Sequence, residues 1–170
     1  FEVKNFSFDT NKQMRTYGLC VSAVKEAIEK SGLKNDFKNF RIGVCIGTTV
    51  ASQLNDIEFY SKFKKNEAVS FSAVDKFIKG NLSQAIAKEY NFSGPACTVV
   101  NACSSGTDAI GIGLSWLNND ECDIVIAGGT DELNRVPLAG FNSLSVVSDC
   151  ACAPFDRDRK GLNLGEGAGI

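Results

Sequence analysis

Three short apolar runs do most to limit what this chain can fold into: Arg41–Gly47 (RIGVCIG), Ala96–Val100 (ACTVV) and Asp123–Ala127 (DIVIA). Each is nearly continuous in apolar residues rather than alternating. That is the pattern of strands buried on both faces, as in a parallel sheet covered by helices. Helical periodicity fills the intervals. Met14, Tyr17, Val21, Val24 and Ile28 mark one face of a helix ending near Ser31 and Gly32, where glycine suits a C-terminal cap. Leu54–Lys65 and about Asn81–Tyr90 read as two more helices, the second with Leu82, Ala85 and Ile86 inward. A loop runs from the first of these to about Ser72, and another helix follows Cys103. Strands alternating with helices predict an α/β layered architecture.

A chain of 170 residues supports one domain with a buried core. Its net charge of -2 gives no electrostatic case for nucleic acid. No apolar run approaches membrane-spanning length, and the N-terminal FEVKNFSFDT is no signal peptide. The seven cysteines are odd in number and lack paired spacing, which favours reduced thiols and a cytoplasmic protein. Cys45, Cys97 and Cys122 lie in apolar runs, where cysteine acts as a small hydrophobe. The chain has no histidine, so it completes no Cys–His or Ser–His pair by itself. Cys150 and Cys152 are too close for the usual zinc-ligand spacing, so no metal site is expected. Beginning at Phe1 and ending at Ile170 inside a glycine-rich run, the chain is expected to be cut at both ends.

The junction Asn101-Ala102-Cys103-Ser104-Ser105-Gly106 carries the chemistry. It sets Cys103 where a strand ends and a helix begins, facing unpaired backbone N–H groups and a positive dipole end that favour a thiolate. Cys103 is therefore a candidate nucleophile for acyl chemistry. The dipole contributes at most about 2 kcal/mol, so a strong nucleophile here needs a further base or cation. The helix after it contains Gly106, Gly111 and Gly113, each costing about 1 kcal/mol against alanine. Close packing best explains that cost, which predicts a central helix covered on several faces.

Two more motifs follow: Ala127–Asp131 (AGGTD), and Ala153–Gly161 (APFDRDRKG) running on to Leu164–Gly169 (LGEGAG). Alone each reads as a glycine-rich loop, and neither has the spacing of a phosphate-binding loop. In this order and spacing, with Gly94-Pro95 and ACSSG before them, they resemble the elongating β-ketoacyl synthases of fatty-acid and polyketide synthesis. The likeness is strongest from Gly94 to Ile170 and stays collinear back to Phe1.

The resemblance implies a thiolase-like fold, layered α-β-α-β-α, of which this chain is most of the first half without the opening strand. It implies that Cys103 takes an acyl group from an acyl carrier protein, with its backbone N–H as one oxyanion donor. Two histidines from the second half would assist decarboxylation of malonyl-carrier protein and the condensation that follows. It implies no cofactor, since the substrates ride on the phosphopantetheine arm of the carrier. It places Val50 in the acyl pocket and Phe141 as a gating aromatic, and implies a dimer paired through the strand at 96–100. The partner would be an identical protomer or a related synthase subunit. Asn101 departs from the threonine or serine common in the family two residues before the cysteine. Lys62, Lys64 and Lys65 read as a solvated helix face, with docking of an acidic carrier as the other use.

An α/β-hydrolase elbow needs glycines two residues either side of the nucleophile, where Asn101 and Ser105 stand. A thiolase acting on coenzyme A esters would lack the APFDRDRKG segment. A non-catalytic, chain-length-factor-like subunit typically replaces the cysteine, which is retained here.

Overall fold

The Arg41–Gly47 run becomes strand β1 (Ile42–Gly47), all six of whose residues are buried. The computed structural model describes residues 2–4, 6, 14–33, 37–49, 57–71 and 81–170. In chain order these form helix α1 (Arg15–Ser31), β1, α2 (Ile57–Lys64), α3 (Leu82–Tyr90), β2 (Ala96–Val99), α4 (Ser105–Asn118), β3 (Ile124–Asp131), α5 (Arg135–Ser143) and β4 (Gly167–Gly169), with 3-10 turns at Phe37–Asn39 and Ala102–Ser104. The four strands make one sheet in the order β2-β1-β3-β4. β1 runs parallel to both neighbours, with Val44 opposite Ala96 on one side and Ile126 on the other. β4 closes the sheet antiparallel to β3.

The fully buried β1 alternates its side chains between two helical layers. Ile42, Val44 and Ile46 join Cys20 and Val24 of α1, Leu82 and Ile86 of α3, and Ile126 of β3 in one core cluster. On the opposite face α4 lies across the sheet. A Cβ added at Gly43 would meet the Trp116 side chain at 3.2 Å, and one at Gly113 would meet Val125 at 3.0 Å. This is one α-β-α sandwich, the α/β class expected from the alternating runs. The expected burial on both faces holds for β1, whereas β2, with one strand neighbour among the described residues, is half-buried throughout and β3 fully buries Ile126, Gly128 and Thr130 alone.

Several expected boundaries shift. β3 runs to Asp131, four residues beyond the predicted end, so AGGTD is strand and not loop. Glycine here marks close approach: a Cβ at Gly128 would lie 2.1 Å from the Gly169 carbonyl oxygen. In α1 the predicted face packs on the core, with Val24 inside the cluster and Tyr17, Val21 and Ile28 against it, and the burial extends beyond that face to Thr16, Gly18, Leu19 and Cys20. The start of α1 is held by the end of β3, where Thr16 N donates to the buried Glu132 and Thr130 Oγ1 donates to Thr16 O. Gly32 caps α1 at φ 75°, as expected. Asn81 caps α3 from outside the helix by accepting from Gln84 N. Residues 54–56 and Ser72 lie outside the described residues.

The expected covering of α4 is met on its sheet side. There Gly113 packs on β3 and Gly106 approaches Gly129, but nothing lies within 4 Å of a Cβ at Gly111. Ile110 and Leu114 are more than half exposed. No helix among the described residues is long and apolar enough to cross a membrane.

Candidate active site

The three parallel strands end on the same edge of the sheet, where open α/β sheets place their ligand sites. β2 delivers the chain to Asn101 and a 3-10 turn, Ala102–Ser104, from which α4 departs. Cys103 is thus at a strand–helix junction, exposed, just before the first residue of the helix. The helix start is pressed onto β1. A Cβ at Gly47 would sit 2.2 Å from the Ser105 carbonyl carbon and 2.4 Å from Gly106 N. No side chain larger than hydrogen fits there, so Gly47 sets how closely the turn approaches the sheet.

The turn has its own hydrogen bonds. Ser105 N donates to Ala102 O, and Ala102 takes φ 64°, in the left-handed region. Ser104, at the N-cap position, makes no capping bond to the backbone. Its Oγ donates instead to Asp108 Oδ2 at 3.0 Å, and Asn101 Nδ2 donates to the same oxygen. These donors, Asn101 first, hold the Asp108 carboxyl below the usual range.

The other thiols stand apart. Burial pushes Cys20 up to about 12 and Cys45 up to about 11, so neither ionises near neutrality. Cys150 is raised by its contact with the Asp149 carboxylate. All seven cysteines are free.

At the ends of β1 and β3, Asp131 accepts from Thr48 Oγ1 at 2.8 Å and Thr49 N at 2.9 Å, tying the two strand ends together. Beside them Thr49, Val136, Pro137, Gly140, Phe141, Ser143 and Leu144 line an open, mainly apolar groove of about 400 Å³. Phe141 is therefore in a groove wall, in the company of the residue next to Val50. Val50 itself lies outside the described residues. Cys103 is on the same sheet edge but does not line this groove. Lys62, Lys64 and Lys65 are exposed at the end of α2, next to the exposed Tyr60 and Phe63, in keeping with a solvated face.

The C-terminal motif divides in two. Residues 150–160 form exposed turns, braced where Asn163 accepts from Cys152 N and donates to Ser148 O and Cys150 O. Glu166 is a buried hub. Its side chain has no exposed surface and accepts from Arg15 Nε, Val3 N and Leu133 N. The bond from Arg15 leads in holding the Glu166 carboxyl down to about 2. One carboxylate thereby joins the N-terminal segment, α1, the end of β3 and the strand that closes the sheet. The roles of Arg15, Asp108, Asp131 and Glu166 were not read from the sequence. Asp131 and Glu166 stand inside the quoted motifs, but their partners are remote in sequence.

The profile of the β-ketoacyl synthase N-terminal domain matches residues 6–170. The chain is 32% identical to the tetracenomycin polyketide synthase ketoacyl synthase alpha subunit of Streptomyces glaucescens, over 94% of this chain and 42% of that protein. It is 32% identical to 3-oxoacyl-[acyl-carrier-protein] synthase 2 of Mycobacterium leprae, over 76% of this chain and 33% of that protein. Among solved structures, the ishigamide ketosynthase/chain length factor superposes with a TM-score of 0.86 at 26% identity, covering 98% of this chain and 44% of that one. The chain thus spans less than half the length of the relatives it matches.

Proposed function

This chain belongs to the β-ketoacyl synthase family, whose N-terminal domain it carries, and from that premise we propose that it supports decarboxylative Claisen condensation on carrier-bound acyl groups. The observation that carries this reading is an exposed Cys103 at a strand–helix junction, on the sheet edge that also bears an apolar groove.

The chemistry follows from the thiol. Cys103, as thiolate, attacks the thioester carbonyl of an acyl group on the phosphopantetheine arm of an acyl carrier protein. Its backbone N–H and a second donor hold the oxyanion, the carrier thiol leaves, and the acyl group rests on Cys103. Malonyl-carrier protein then loses carbon dioxide. The carbanion attacks the acyl-enzyme carbonyl, and the Cys103 thiolate departs as the β-ketoacyl chain forms on the carrier. The sequence has no histidine. The imidazoles that this reading needs for the carbanion step would have to come from a second half outside these 170 residues, which cover 42% of the tetracenomycin relative's length. That half would cover the exposed apolar face of α4. Val50 and Phe141 would line the acyl pocket, and no cofactor is required. Seven free thiols suit a cytoplasmic site of action.

The β2 edge is unpaired among the described residues. Such an edge suits pairing with a second protomer, either identical or a related synthase subunit.

The test is to give the full-length protein acyl-carrier and malonyl-carrier protein, following carbon dioxide release and the β-ketoacyl product. Cys103→Ser is expected to abolish the product. Turnover of coenzyme A esters alone would point to thiolase-type chemistry. No product from the wild-type protein alone, with product appearing once a cysteine-bearing synthase partner is added and unaffected by Cys103→Ser, would point to a chain-length-factor-like role for this chain.

A further inference from the structure

Asn101 and Ser104 bracket Ala102 and Cys103, and both donate to a single oxygen of Asp108 in the first turn of α4. Between those two anchors Ala102 holds φ 64°. A non-glycine residue in that region persists only where its surroundings over-determine it. The Ser105 N to Ala102 O bond is one restraint. The Asp108 carboxylate supplies two more, one on each side of the cysteine. The helix dipole favours a carboxylate in this first turn, but a carboxylate near a thiol generally opposes its ionisation and so gives Cys103 no electrostatic help. The contribution of Asp108 is therefore geometric. Its oxygen is occupied by donors from the turn, and the turn's shape depends on them.

We propose that Asp108 is a positioning residue for acyl transfer: it fastens both flanks of the strained turn and so fixes the direction in which Cys103 presents its thiol. The proposal rests on Cys103 being the acylated residue. It also gives Asn101, the departure from the family's usual threonine or serine, a specific task as one of the two anchors.

The test uses the full-length enzyme in single-turnover acylation by an acyl-carrier protein, with the acylated residue identified by peptide mass spectrometry. Asp108→Ala is expected to lower the saturating acylation rate about ten- to hundredfold, the scale of a small misplacement of a reacting group. The half-saturating carrier concentration should stay within about twofold, since the carrier surface is unchanged. Asp108→Asn keeps an acceptor oxygen and should recover most of the rate. The Asn101→Ala/Ser104→Ala pair should also slow acylation, and adding Asp108→Ala should cost little more, because all three remove one clamp.

A wild-type rate in Asp108→Ala would overturn the proposal. So would a loss confined to the half-saturating concentration, or losses that multiply in the triple variant. Should Asp108→Ala not fold, Asp108→Asn and the Asn101→Ala/Ser104→Ala pair decide by rate against half-saturation. An acyl group mapped to another residue of the wild-type enzyme would instead overturn the nucleophile assignment. That outcome is distinct from an acylated Cys103 indifferent to Asp108.

Discussion

Glu166→Gln removes one charge from the hub that joins four parts of the chain, and its effect can be sized from the structure. The Glu166 carboxyl lies at about 2 against an ordinary 4.5. That difference of about 2.5 pH units, at 1.36 kcal/mol each, corresponds to about 3 kcal/mol. The figure agrees with the loss expected on breaking a buried ion pair from one side. The sign follows from a folded value below the unfolded one. The contribution is fully present above about pH 4.5 and is lost as the pH falls toward about 2. Glutamine keeps the shape, but its amide nitrogen must face Arg15 or a backbone N–H, all of them donors. In urea unfolding of the full-length protein, Glu166→Gln should therefore lose about 3 kcal/mol near neutral pH. The two proteins should converge as the pH approaches about 2. A variant within about 0.5 kcal/mol of wild type near neutrality, the range of an ordinary surface substitution, would refute the reasoning. So would an unchanged acid dependence between about pH 4.5 and 2.

Other outcomes follow from the same geometry. Gly47→Ala puts a methyl group 2.2 Å from the backbone at the head of α4. It should destabilise by about 1–3 kcal/mol and slow acylation of Cys103, as checked by thermal unfolding and single-turnover rates. Ser83→Ala removes a buried hydroxyl that accepts from Ile46 N and donates to Cys97 O. It should cost about 0.5–1.5 kcal/mol in urea unfolding, the net worth of buried hydrogen bonds whose strand partners keep the β1–β2 ladder. Sedimentation of the full-length protein should give a dimer, and a monomer at micromolar concentration would remove the role assigned to the β2 edge.

The strands were legible because burial on a sheet leaves a nearly continuous apolar run, as at Ile42–Gly47. The cysteine junction was legible because strand and helix patterns abut there. Gly128 and Gly129 misled, since glycine commonly signals a loop. Here it signals backbone and helix approaching a strand that continues to Asp131. The hub was hidden for another reason. Arg15 and Glu166 are 151 residues apart, and no local pattern reports a pairing made only once the sheet is assembled. Ser83 sits in a helix pattern as an ordinary polar residue, yet it splices β1 to β2. The apolar face of α4 was legible as hydrophobic, but its exposure at Ile110 and Leu114 depends on what else the protein contains.

Cys103 carries the proposed chemistry, and the most direct measurement is the site of the acyl group. The full-length enzyme is charged with an acyl-carrier protein in the absence of malonyl-carrier, quenched in acid, digested and mapped by mass spectrometry. The acyl mass is predicted on the peptide containing Cys103, in a hydroxylamine-sensitive thioester that Cys103→Ser does not form. An acyl group on Cys150 or Cys152, the other exposed thiols, or a covalent adduct that survives Cys103→Ser as a thioester, would contradict it.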